Sequence, residues 1–197
     1  MESISLSYFV DFVLKSGTPK LTGVKEFKEN RDEIYTDFYK PIREAIVDMH
    51  QRELPPSSLQ SFLGSLTDTR RCRIYPGIVA GYQKFLRSGK MRWFEPPTRA
   101  LPLGGIALNV NPEVGLVIDG TPHAIKLYFR GEPLSPKRIG VMIHLLTAAF
   151  GTTWPGTVFG VLDVRNARLH SMKSPNPRLN LLLRGEAAAF STIYAAL

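Results

Sequence analysis

A carboxylate and an amine, Glu113 and Lys126, lie thirteen positions apart within NPEVGLVIDGTPHAIKLYF, the stretch from Asn111 to Phe129. Its alternation on either side of a turn is that of two strands folded into a hairpin. With Gly120-Thr121 as the two-residue loop, partners pair Val117 with Ala124, Gly115 with Lys126 and Glu113 with Tyr128. Val114, Leu116, Ile118, Ile125 and Leu127 then share a core face, with His123 at its end. Glu113, Gly115, Val117, Ala124, Lys126 and Tyr128 share the other face. There Lys126 lies diagonal to Glu113, within reach of a long side chain, beside a space that Gly115 leaves open. As an ion pair on a half-exposed sheet, the two charges contribute about 0.5 kcal/mol.

The second chemistry-bearing pattern is basic. Residues 70 to 100 hold eight Lys and Arg against one acid, whereas residues 1 to 69 hold eight against eleven. A concentrated positive block suits a phosphate-bearing partner, because each neutralised phosphate releases counterions. Its members are Arg70, Arg71 and Arg73, then Lys84, Arg87, Lys90, Arg92 and Arg99, with Trp93 and Phe94 interleaved. Basic side chains beside aromatics suit a nucleic-acid backbone with room for base stacking. Arg130, Lys137 and Arg138 extend the patch to the N-terminus of a later helix, where free backbone N–H groups also favour phosphate.

These residues need elements to position them. Ser3 caps a helix through about Leu14, followed by a loop, SGTPKLTG. Phe38, Ile42, Ala45, Ile46 and Met49 form an amphipathic stripe, with Pro41 near its first turn. Pro55-Pro56-Ser57 opens a short helix, and a basic helix runs from Pro76 to Gly89. WFEPPTRALPLGG reads as a loop, because paired prolines and glycines sustain neither helix nor central strand. The period then shortens to two: Ile106 to Val110, Val114 to Ile118 and His123 to Phe129 are strands. Ser135 caps a helix with Pro136 at its first position, running to about Phe150. A hairpin around Arg165-Asn166 and a helix from about Gly185 to Ala196 close the chain. The fold class is α/β, or α+β by stricter naming. Residues 1–69 form an N-terminal helical region packed on a core of residues 70–197.

Pro112-Glu113, ten intervening residues and then Ala124-Ile125-Lys126 resemble the motif of the PD-(D/E)XK phosphodiesterases, the restriction-endonuclease-like superfamily. The helix, three strands, helix, strand order over roughly residues 75 to 165 resembles that superfamily's αβββαβ core around a small mixed sheet. The resemblance implies a nuclease using Mg²⁺, with Glu113 as metal ligand on the second core strand. It implies that Lys126 orients the attacking water or steadies the charge on the phosphate. Ala124 stands where the family places its second carboxylate, and alanine offers no oxygen to a hard cation. Asp163, on the first strand of the later hairpin, or Glu95, before the sheet, is the candidate replacement. Asp119 shares the parity of Glu113 but lies ~20 Å along the strand and belongs to the turn. Two readings follow: a nucleic-acid-binding protein on this scaffold, weakly catalytic or not catalytic and needing no cofactor, or a Mg²⁺-dependent nuclease cutting DNA or RNA. A protein-interaction module on the same scaffold is a third.

Composition bounds the rest. A chain of 197 residues with 44% hydrophobic and 21% charged residues is ordinary for a globular protein with a genuine core. One cysteine, Cys72, allows no internal disulfide and no Cys-rich zinc site, and a reducing cytoplasm is the default. The N-terminus begins with an acid and carries Asp11 in its apolar run, unlike a signal peptide. No apolar run approaches the ~20 residues that span a bilayer. His50, His123, His144 and His170 lack metal-ligand spacing, and there is no P-loop, GxGxxG or GxSxG.

Overall fold

A computed structural model describes residues 2–29, 37–172 and 176–197. In chain order the elements are β1 (Glu2–Ser5), α1 (Leu6–Leu14), α2 (Thr18–Glu29), α3 (Lys40–Gln51), α4 (Ser58–Gly64), α5 (Thr69–Leu86), β2 (Met91–Phe94), β3 (Arg99–Leu103), β4 (Ile106–Val110), β5 (Val114–Ile118), β6 (Thr121–Tyr128), α6 (Pro136–Phe150), β7 (Val158–Asp163), β8 (Arg168–Ser171) and α7 (Pro177–Ala196). The fold is α+β, with two mixed sheets ordered β1-β4-β3 and β2-β5-β6-β7-β8. Among the described residues no helix is long and apolar enough to cross a membrane.

The larger sheet is built on an antiparallel meander, β2-β5-β6, to which β7 adds in parallel after the α6 crossover. Period-two alternation divides its side chains between two cores. Val114, Leu116, Ile125, Leu127 and Leu162 pack with Ile42 and Ile46 of α3 and with Tyr75, Ile78 and Tyr82 of α5. Ala124, Tyr128, Phe159 and Val161 point the other way, into a core shared with α1, α6, α7 and the smaller sheet. Residues 1–69 serve both cores: α1 and α2 join the second, α3 and α4 the first.

Several expectations are corrected. Glu2–Ser5 is a strand parallel to β4, and Ser5, not Ser3, caps α1 by accepting from Tyr8 N–H. SGTPKLTG is not a loop throughout: Thr18 opens α2, whose buried Gly23, Val24 and Phe27 make only a short stripe. The basic helix starts at Thr69, capped by Asp68, and passes through Pro76. Trp93 and Phe94, expected within the loop, belong to the strand Met91–Phe94, and Arg99–Leu103, also expected as loop, is a strand. Ile106–Val110 leaves the hairpin's sheet to pair with β1 and β3, and β2 takes the place expected for it. Alternation identifies a strand but not its partner. The closing helix begins at Pro177, well before Gly185.

The hairpin register is also corrected. Asp119 and Gly120 form the loop with φ of 48° and 85°, the left-handed pair that a type I′ turn requires. Gly115 therefore faces Ala124 and Val117 faces Pro122, two residues from the expected pairing. Pro122 is accommodated because β7 pairing begins only at His123, so its missing N–H costs no ladder bond on that side. A slip of two leaves every side chain on its expected face.

Candidate functional site

Glu113 sits just ahead of β5 with its N–H on the Ile125 carbonyl at 3.0 Å, and its side chain meets that of Lys126. The two are 6% and 7% exposed. Lys126 Nζ donates to Glu113 Oε1 at 2.5 Å, to the Asn111 carbonyl at 3.0 Å and to Asn111 Oδ1 at 3.3 Å. Three ammonium protons thus meet three acceptors. Glu113 Oε2 accepts from Leu127 N–H at 2.8 Å, while Arg43 Nε lies 3.4 Å from Oε1. Arg43 also donates through Nη2 to Asp37 Oδ2 at 2.5 Å, and Asp37 Oδ1 accepts from Tyr39 N–H at the start of α3. The space expected beside the amine is absent: a Cβ on Gly115 would meet the Phe94 carbonyl oxygen at 2.3 Å.

Glu113, Lys126 and Arg43 lie on the wall of a cleft of about 530 Å³ that α1, α3, β6 and α6 also line. A second charged cluster stands across it. Arg130 grips Asp11 with both terminal nitrogens, Nη1 to Oδ1 at 3.2 Å and Nη2 to Oδ2 at 2.6 Å, and Arg138 Nη1 adds a bond to Oδ1 at 2.5 Å. Such forked, charge-assisted contacts hold geometry well. Burial holds the Tyr128 hydroxyl above its usual pKa, opposed by Arg138 and Arg130. Lys40, Arg43, Lys126, Arg130 and Arg138 line the cleft against Asp11, Asp37 and Glu113, five cations to three carboxylates.

Of the expected nucleic-acid contacts, Arg130 and Arg138 line this cleft, and Lys137 is exposed on α6 beside Arg138. The 70–99 run is split. The Arg70 and Arg71 guanidiniums lie 4.7 and 5.9 Å from the Phe38 ring centroid. Phe38 packs edge-on against Tyr39, which stacks on Phe129 at the cleft. Arg73 is exposed on the next turn of α5. Lys84, Arg87, Lys90 and Arg92 are exposed at the other end of α5, a helix about 27 Å long. Met91, between the last two, pairs with Ile118 at the far end of β5 from Glu113. The run therefore makes no single patch over the Glu113/Lys126 pair. Trp93 stacks on His50 at 5.5 Å and Phe94 on Trp154 at 5.9 Å, so both rings already have protein partners.

The expected replacement acids stand elsewhere. Asp163 pairs with Tyr128 across β6-β7, but its carboxylate closes the β7-β8 turn, accepting from Asn166 N–H at 3.3 Å and from Asn166 Nδ2 at 2.8 Å. Glu95 is exposed and accepts from Gln51 Nε2 on α3 at 3.3 Å. The donor set does not fit Mg²⁺. Both Glu113 oxygens already receive protein donors, Ala124 is fully buried and supplies no oxygen, and octahedral coordination needs several free hard ligands. Among the described residues no group of three His, Cys, Asp or Glu is placed to hold a metal ion.

His50 and His144 are packed residues, and His123 and His170 are half-buried. His50 Nε2 is hydrogen-bonded to the Tyr82 hydroxyl at 2.6 Å, and burial lowers its pKa to about 4. His144 is 6% exposed, its pKa lowered by burial. Sequence reasoning missed Asp11, Asp37, Lys40, Arg43 and Asn111 as cleft residues. For Asp11 and Arg43 a signal existed: each is a charge within an amphipathic helix that buries its apolar stripe on this part of the molecule.

No family model, curated protein or solved structure matches the chain.

Proposed function

We propose that the chain holds a nucleic-acid strand, DNA or RNA, by its phosphates in this cleft, on a scaffold related to the PD-(D/E)XK phosphodiesterases and without hydrolysing the strand. The observation that carries the reading is the condition of Glu113. Both of its oxygens are taken by Lys126, Leu127 N–H and the nearby Arg43, while the cleft keeps five cations to three carboxylates. A carboxylate so used orients cations instead of coordinating metal, and the cations left over attract phosphate. Arg70 and Arg71, linked to the rim through Phe38 and Tyr39, extend the strand's path.

The nuclease reading is favoured by one observation, that acid and amine meet on one side of the hairpin. Fluorescence anisotropy with labelled single- and double-stranded DNA and RNA, in Mg²⁺, Mn²⁺ and EDTA, separates the two. The expected result is binding that weakens steeply with salt, is unchanged by EDTA and leaves the strand intact. Cleavage that requires metal and disappears in Lys126→Ala sinks the binding reading in favour of the nuclease. Absence of binding to every strand at low salt removes both and leaves the protein-interaction module, tested by affinity capture.

A further inference from the structure

Tyr8, Asp11, Arg130 and Arg138 line not one cavity but two. They face the cleft described above and also a second cavity of about 450 Å³, which Lys15 and Gly23 help to enclose. The Asp11-Arg130-Arg138 cluster is thus a wall between two spaces, with guanidinium groups reachable from both.

The second space is richer in unspent positive charge than its size suggests. Among the residues lining it, Lys15, Arg130 and Arg138 face one carboxylate, Asp11, while Glu26 acts on the Tyr8 hydroxyl from nearby. The Lys15 ammonium has no ion-pair partner among the described residues. Arg130 spends its terminal fork on Asp11, but Arg138 gives Asp11 only Nη1, leaving Nε and Nη2 without partners among the described residues. Opposite, the Tyr8 hydroxyl donates to the Gly23 carbonyl, which fixes the ring that floors the cavity. Over the lining residues the surplus is two positive charges, of which the net one from Arg130, Arg138 and Asp11 is shared with the main cleft. An internal phosphodiester carries one negative charge, whereas a phosphate monoester carries about −1.5 to −2 at neutral pH and presents three acceptor oxygens. The free nitrogens of the Arg138 guanidinium beside the Lys15 ammonium suit the monoester's acceptor oxygens.

We propose that this second cavity seats a phosphate monoester, the terminal phosphate of a strand lying in the main cleft, with Lys15 and the free nitrogens of Arg138 as its ligands. The proposal rests on the nucleic-acid reading above for the strand, and on the cavity itself for the phosphate. It gives the wall a purpose: the Asp11-Arg130-Arg138 cluster stands between the strand in the main cleft and its terminal phosphate, and Arg138 is the member with nitrogens to spare for that phosphate.

The test is anisotropy at fixed salt with one single-stranded sequence carrying a 5′-phosphate, a 3′-phosphate or hydroxyls at both ends, against the full chain and Lys15→Ala. Calorimetry with a nucleoside monophosphate runs in parallel. The expected result is at least tenfold tighter binding of one phosphorylated strand than of the hydroxyl-ended strand, with the ratio falling to within about twofold of unity in Lys15→Ala. Lys15 is exposed, and an unchanged thermal melt of the variant assigns the lost ratio to the seat. Equal affinity for all three strands overturns the terminal seat while the nucleic-acid reading stands. Binding of the monophosphate with no binding of any strand keeps the seat and overturns the strand. Neither kind of binding overturns both.

Discussion

The two faces of the larger sheet are buried by opposite means, although the same two strands supply them. Toward α3 and α5, Val114, Leu116, Ile125 and Leu127 present hydrocarbon to hydrocarbon. Toward the cleft, Ala124 and Tyr128 flank Lys126, which goes under at 5% exposure with Glu113 and Asn111 as partners. The first face tolerates small losses one methylene at a time, whereas the second depends on complete pairing. Charge is kept where it can act and excluded where only packing is needed.

The sharpest way to break that contrast is Glu113→Ala. It leaves a buried ammonium without its counter-ion, and the expected loss is about 3–5 kcal/mol by chemical denaturation. A loss below about 1 kcal/mol would mean that water reaches Lys126 and that the face is wet. Next comes Ile125→Ala on the apolar face, expected to cost about 2–5 kcal/mol through transfer and cavity terms. A double variant with Glu113→Ala should show losses that are not simply additive, because the Glu113 N–H bonds the Ile125 carbonyl even though the two side chains point to opposite faces.

The apolar side also carries a titration. His50 on α3 has its pKa lowered from 6.5 to about 4 by burial, so the folded state prefers it neutral. Between those pH values the unfolded chain binds more protons, so stability rises with pH across the window and is lost as pH falls from about 6.5 toward 4. After allowing for partial solvent access the term is on the order of 2 kcal/mol. His50→Gln should flatten the melting-temperature profile there, and an unchanged profile would assign the acid sensitivity to the carboxylates.

Smaller effects belong to the cleft. Asp11→Asn removes the anion that competes for Arg130 and Arg138, and strand affinity should rise roughly fivefold, about 1 kcal/mol. A fall in affinity would mean that Asp11 is needed to hold the arginines in place. Arg130→Ala should weaken binding by a similar factor and reduce the log-affinity against log-salt slope by about 1, the signature of one lost phosphate contact. An intact slope would place Arg130 outside the strand's path.

How much of this was legible depends on the length scale of each signal. The faces of Glu113 and Lys126 follow from parity, which survived the wrong turn because the slip was of two residues. Asp-Gly is the stronger two-residue turn signal, and Asp119-Gly120 takes the turn in place of the neighbouring Gly120-Thr121. The helix at Ser135 was readable because cap, proline and stripe coincide over one short stretch. The pairing of Ile106–Val110 with Glu2–Ser5 joins segments a hundred residues apart, and nothing local in either names the other. The same distance hid the cleft. Asp11, Arg43 and Arg130 are ordinary charges in sequence and become a site only when α1, α3 and the end of β6 converge. The basic run misled for the converse reason: contiguity in sequence, wound into α5, distributes its members over the length of a helix.

The ammonium of Lys126 has all three protons engaged by Glu113 and Asn111, so it has none to offer an arriving anion. Its influence on an arriving anion is then through space only, and because Glu113 offsets its charge, what such an anion feels is the cleft's fixed excess of five cations over three carboxylates. Such an excess rewards any oxygen that comes near without demanding one orientation. A groove built around it would grade ligands by how much negative charge they bring and remain indifferent to the order of their bases.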